Sequence, residues 1–380
     1  MCRFIVHVGV VAFAAAASLL GGGGCAVEGN ADLPSPVMAS GPSSAMAPHM
    51  GAGGLVVYPR VGNPNDDGID PLGPALVLMG GGADVDDAFT WAQGVIAGSR
   101  RTAGDVIVLT VNGDDRYAGY IAGIAGFNSV QTLRIAAGAS DDDYAMAARI
   151  LARAEVVFLT GEDPSAYLDW RRTPIIAAIQ GVFDRGGVVG GTGGGAAVLG
   201  DAAYDGPGPV ESPDAMENPY EKTITFTRRL FHFAPLEGAV VDPHFRSGER
   251  FGRLATFMAR QIADGAIVAD PPIALGIGVD EGSALLVDRF GRVTLAQAAD
   301  AKGGGYIVTG GAAQQILADE PLVYDGLEVA RLDQKGEAFD TTRGCGTAFL
   351  YRVSIDGEAK QPYAPRDPYV APGVQSHCAY

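Results

Sequence analysis

The stretch Gly187-Val188-Val189-Gly190-Gly191-Thr192-Gly193-Gly194-Gly195-Ala196-Ala197-Val198-Leu199-Gly200 admits few folds, because it reads as a buried strand, a tight turn and the opening of a helix. That order is where α/β enzymes mount a nucleophile. In the G-x-S-x-G form of the bend, glycines let neighbouring backbone approach while the middle residue is strained and points its side chain above the sheet. Gly191, Gly193 and Gly195 keep that frame, but the middle residue is itself a glycine, with no hydroxyl to attack anything. A glycine-rich turn feeding a helix can also cradle a phosphate on backbone N–H groups. A Walker loop would need Lys and Ser or Thr after its last glycine, where Ala196 and Ala197 stand, and Gly191-x-Gly193-x-Gly195 lacks the G-x-G-x-x-G spacing of dinucleotide sites. No cofactor is expected. A phosphate or nucleotide binder, and a plain left-handed turn with no site at all, stay open as alternatives.

The flanking sequence predicts what carries this bend. Ala75-Leu76-Val77-Leu78-Met79 is a continuous apolar run ending in Gly80-Gly81-Gly82, as expected of a parallel strand buried on both faces. Further strands are expected at 105–111, 130–135 and 155–161, with helices following Asp84, Asp86 and Asp87, capped by Asp141-Asp142-Asp143, and spanning Pro174 to Phe183. The fold class is therefore α/β, a doubly wound, mostly parallel sheet with helices on both faces, whose ligands bind at the carboxyl ends of strands. Gly80, Gly161 and Gly191 fall at those ends. After Leu199 the pattern changes to loops and antiparallel β additions: a strand into Asp242-Pro243-His244-Phe245, a helix at about 248–262, a strand at 273–279, a hairpin at 284–295 and a strand at 306–309.

Charge and address narrow the partners. Lys plus Arg number 27 against 44 Asp plus Glu, a net charge of −17 that repels nucleic acid and anionic membrane and favours a cationic ligand, or serves solubility alone. Arg3 precedes an apolar run from Phe4 to Leu20, then Gly21-Gly22-Gly23-Gly24-Cys25, which is the form of a secretory signal. A Cys directly after small residues resembles a bacterial lipoprotein signal, in which Cys25 is acylated. The expected organisation is a signal peptide at 1–24, a lipid-anchored flexible tether at 25–70, an α/β domain at 71–340 and a C-terminal tail at 341–380. The expected location is a bacterial envelope, periplasmic or at the cell surface, with membrane contact through the lipid alone. With Cys2 removed and Cys25 acylated, Cys345 and Cys378 are left as an even pair, and a disulfide pinning the tail is expected. No metal site is expected, since no histidines or cysteines gather at ligand spacing.

With the elbow, the helix-opening His244 and the later Glu281 in place, the chain resembles the cyanophycinase and peptidase S51 family over roughly residues 74–340. That family comprises relatives of dipeptidase E among the class I glutamine-amidotransferase-like folds. Its G-T-S-A-G-A elbow, D-Q-H-F and G-I-G-I-D-E-N motifs correspond here to Gly191-Thr192-Gly193-Gly194-Gly195-Ala196, Asp242-Pro243-His244-Phe245 and Gly276-Ile277-Gly278-Val279-Asp280-Glu281-Gly282. The resemblance implies a serine peptidase site with Gly193 at the nucleophile position, His244 as base, Glu281 orienting it and the Gly194 N–H in the oxyanion hole. It implies substrate contacts at Gly161, Arg250 and Arg253, and pairing into a homodimer. The family's strand-end F-F-T-G-G-D-Q corresponds to Phe158-Leu159-Thr160-Gly161-Glu162-Asp163-Pro164.

The departures fall where the chemistry belongs. Serine is replaced by Gly193, the strand-end Gln by Pro164, the residue before the base by Pro243, the first helix arginine by Gly248 and the Asn beside the acid by Gly282. Removing the nucleophile of a serine hydrolase costs on the order of 10⁶ in turnover. The expectation is a degenerate serine peptidase that retains at most binding of a peptide or small cationic ligand. The alternative is an active hydrolase of Asp-containing peptides or cyanophycin-like material, using His244 and Glu281 with Thr192, with water, or with Ser165, Ser212, Ser247 or Ser283. Apart from the resemblance, His244 reads as a satisfied strand-end histidine, and Glu281, Arg250 and Arg253 as ordinary solvated residues.

Overall fold

The strands Ala75–Met79, Asp105–Thr110 and Val188–Gly193 are buried along their whole length, as a sheet covered on both faces requires. The computed structural model describes residues 49–50 and 54–378, and the signal peptide, Cys25 and most of the expected tether lie outside them. Alternate side chains divide between two cores, the period of two that a strand imposes. Leu76, Leu78, Ile107, Leu109, Val157 and Leu159 pack with Tyr144, Leu151, Ile175 and Ile179 of helices Asp141–Leu151 and Pro174–Asp184. Val77, Val106, Val108, Val156 and Phe158 pack on the other side with Phe89, Ile96, Ala118 and Ile121 of helices Asp86–Ala97 and Arg116–Ile124.

In space the parallel run is Ser129–Ile135, Asp105–Thr110, Val156–Gly161, Val188–Gly193, Ala75–Met79. The antiparallel hairpin Ser283–Asp288 and Arg292–Gln297 continues it beyond Ala75–Met79. The chain's earliest core strand thus lies beside its latest, and the loops after Met79, Gly161 and Gly193 emerge together at one edge. This is the mixed α/β class expected, with a largely parallel core and antiparallel C-terminal strands.

Several boundaries differ from the sequence reading. The helix at Asp141 is capped by Ser140, whose side chain accepts from the Asp143 N–H while Asp143 reaches back to the Ser140 N–H. Folded structure reaches into the expected tether, because Leu55–Val57 and Val61–Gly62 both pair with Ser129–Ile135. A second, nine-stranded sheet holds Ala239–Asp242 parallel to Ala274–Val279 and is otherwise mostly antiparallel. The expected tail belongs to it: Phe349–Asp356 pairs with Val323–Leu332. The Cys345–Cys378 disulfide is present, with Cα atoms 5.1 Å apart. Inside the bridged segment, Tyr369 packs its ring on Phe245 and Phe251, and its hydroxyl accepts from the Phe251 N–H. The C-terminal segment therefore backs the residue that follows His244.

Candidate active site

The neighbouring strands Val156–Gly161 and Val188–Gly193 run in register, with Gly161 opposite Gly193. At Gly193 the backbone turns with φ 56° and ψ −129° into the short helix Gly194–Ala197, the strained bend on which such sites are built. Thr192, considered as a substitute nucleophile, is buried in the strand between Met79 and Thr160.

His244 follows the strand Ala239–Asp242, and its N–H donates to the Gly80 carbonyl at 2.9 Å. A Cβ on Gly81 would stand 2.3 Å from His244 Cε1, so the imidazole can lie across this loop only because residue 81 is glycine. His244 itself has φ 48°, a conformation uncommon for a residue with a side chain and one that recurs at functional sites. Glu281 comes from the loop after Ala274–Val279. Asp280, buried beside it, fixes that loop by accepting from the Arg246 and Gly304 N–H groups, each at 2.8 Å, and the Gly282 N–H donates to the Gly81 carbonyl.

Two carboxylates grip the imidazole. Nδ1 is 2.7 Å from Glu281 Oε1 and Nε2 is 2.8 Å from Glu162 Oε2. A neutral imidazole donates from one nitrogen only, so carboxylates at both ring nitrogens favour the doubly protonated ring. Electrostatics agree. The hydrogen bond that Glu162 accepts, opposed by burial and aided by Glu281, raises the His244 pKa above its ordinary 6.5. The bond to His244 lowers the Glu162 carboxyl against the effect of burial, and bonds to His244 and Ser247 lower that of Glu281.

The Glu162 carboxylate lies over Gly193. A Cβ built on Gly193 would meet Glu162 Oε2 at 2.7 Å, so the carboxylate that contacts His244 Nε2 fills the space a side chain at 193 would enter. The side chain of Glu162 is 74% exposed, which leaves it free to swing away. Sequence reasoning missed this residue although the signal was in the motif: the second glycine of F-F-T-G-G-D-Q is Glu162 here.

The array opens on a cavity of about 730 Å³ lined by Glu162, Asp163, Gly194, His244, Arg250 and Glu281 among others. Arg253 also borders it, but its guanidinium is committed to buried Asp242 through two hydrogen bonds. Arg250 donates to the Pro243 carbonyl at 2.7 Å and lies 3.5 Å from Asp242, bracing the loop that carries His244. Gly161 pairs with Gly193 and carries the chain into Glu162. Of the serines considered, Ser165 and Ser247 line the cavity. Ser247 Oγ donates to Glu281 at 3.0 Å, while Ser212 and Ser283 are buried. Among the described residues, the partners of the His244 ring nitrogens are both carboxylates rather than a hydroxyl.

No family model and no curated protein matches the chain. Among solved structures it is similar to the crystal structure of a peptidase from an acI-B1 Actinobacterium, at 16% identity and a TM-score of 0.42, over 72% of this chain and 98% of that one. It is also similar to the 1.5 Å crystal structure of a putative peptidase E protein from Listeria monocytogenes EGD-e, at 15% identity and a TM-score of 0.38, over 60% of this chain and 100% of that one. Both similarities are at low identity.

Proposed function

We propose that this chain is an exported, lipid-anchored protein of a bacterial envelope that keeps a peptidase S51-like scaffold without serine chemistry and uses the pocket to bind a ligand. The observation that carries the reading is the Glu162 carboxylate on His244 Nε2, in the space above Gly193 that an attacking hydroxyl would need. Serine-type acyl transfer requires an alkoxide made by a free base, and here both ring nitrogens of His244 are already bonded to carboxylates. Glu162, Asp163 and Glu281 at the cavity suit a ligand bearing an amino group, such as the end of a short peptide. Export is supported by the Arg3-to-Cys25 sequence and by the Cys345–Cys378 disulfide, which suits an oxidising compartment.

A fluorophosphonate probe tests the chemistry. Purified protein is expected to remain unlabelled and to leave isoaspartyl dipeptides, Asp-X dipeptides and cyanophycin intact, while amine-bearing peptides raise its melting temperature. Covalent labelling at a serine would overturn the reading. Incorporation of labelled palmitate in cells, lost on Cys25→Ser, tests the anchor.

A further inference from the structure

A carboxylate hydrogen-bonded to an imidazole that a second carboxylate orients is itself a nucleophilic arrangement, provided the target carbon suits a carboxylate. An amide does not suit it: attack would give a mixed anhydride and expel an amine, both uphill. A strained saturated carbon does, because attack there forms a stable ester. We propose that Glu162 attacks a ring carbon of a small, uncharged epoxide held in this cavity, and that His244 then serves the hydrolysis of the resulting glutamyl ester to a diol. The proposal rests on the reading above only in that no serine is the nucleophile.

The geometry supplies each part. Glu162 Oε2 lies 2.8 Å from His244 Nε2, while among the described residues no hydrogen bond is recorded to Oε1, which is free to attack. The bond to His244 keeps Glu162 ionised at neutral pH, which suits a nucleophile and makes it a poor proton acceptor, so direct attack is favoured over activation of water by Glu162. Tyr204, Pro207, Pro209, Val240 and Phe257 give the cavity apolar surface for an aryl or alkyl group beside its charged residues. About 730 Å³ accommodates an aryl or alkyl epoxide.

The protons balance. In the first step the Glu162 carboxylate oxygen bonds to the ring carbon, the carbon–oxygen bond of the epoxide breaks with its electron pair on oxygen, and the His244 imidazolium gives that oxygen its Nε2 proton. Neutral His244 then takes a proton from water, whose oxygen attacks Glu162 Cδ. Collapse breaks the acyl carbon–oxygen bond, and the departing alkoxide takes the proton of the new carboxyl group. The products are a diol, the Glu162 carboxylate and the His244 imidazolium.

The test uses the full-length wild-type protein and styrene oxide in heavy-oxygen water. Diol formation is expected to exceed the buffer rate by about 10²-fold or more, the scale that positioned proton donors supply. Under single-turnover conditions the heavy oxygen is expected in the peptide containing Glu162, with the diol carrying ordinary oxygen from the enzyme. Glu162→Gln, checked by melting temperature to be folded, is expected to form no diol above buffer. Heavy oxygen in the diol alone in the first turnover, or a folded wild-type protein with no diol formation, would overturn the proposal. Fluorophosphonate labelling of a wild-type serine would instead overturn the reading on which it rests.

Discussion

Glu162 Oε2 lies 2.8 Å from His244 Nε2, the contact that a nucleophilic hydroxyl makes with its base. The side chain of Glu162 lies in the space above Gly193, so the two positions are coupled across paired strands. Gly193→Ser alone is expected to gain little labelling by fluorophosphonate, because the Glu162 carboxylate already holds His244 Nε2, the atom that would have to accept the serine proton. A side chain at φ 56° also costs about 1–3 kcal/mol of backbone strain, to be read as a lower melting temperature. Gly193→Ser combined with Glu162→Gly clears the space and frees His244, and is expected to be labelled. Equal labelling of the single and double variants would contradict the coupling.

The charges around His244 define a pH window. Because the folded-state pKa of His244 is raised, its contribution to stability is full below its ordinary 6.5 and is lost as pH rises through the folded value. The pKa values of Glu162 and Glu281 are lowered, so theirs is full above 4.5 and lost as pH falls through their folded values. The melting-temperature difference between wild type and Glu162→Gln is thus expected to be largest between about 4.5 and 6.5 and to shrink on both sides. A difference that is flat with pH would contradict the charged array.

The disulfide closes a span of 33 residues that includes Tyr369 behind Phe245. Replacing Cys345 and Cys378 by serine is expected to cost about 3–4 kcal/mol by the chain-entropy argument. Urea unfolding with and without reductant measures it: wild type in reductant should match the double variant.

The parallel core was legible because continuous apolar runs such as Ala75–Met79 and Asp105–Thr110 can be satisfied only by burial on both faces. The bend at Gly193 was legible because its glycine spacing is required by close backbone approach. The second sheet was harder to read. Val323–Leu332 is interrupted by Asp325 and Gly326, where the register shifts between Tyr324 and Leu327, and this hides its alternation. Phe349–Asp356 does alternate in burial, but its partner strand was not visible beside it. The motif marked Glu162 as a departure, but its contact with His244 could not be read from spacing. Its role depends on Gly161 lying opposite Gly193 and on a reach across that pair to a ring on a third strand end.

The most direct measurement is the titration of the His244 imidazole by nitrogen NMR in wild type and in Glu162→Gln. The wild-type ring is expected to hold protons on both nitrogens at neutral pH, with its pKa above the ordinary 6.5 and falling when Glu162 loses its charge. A His244 that titrates at the ordinary value, unchanged in Glu162→Gln, would contradict the claim that this carboxylate has taken the hydroxyl's place.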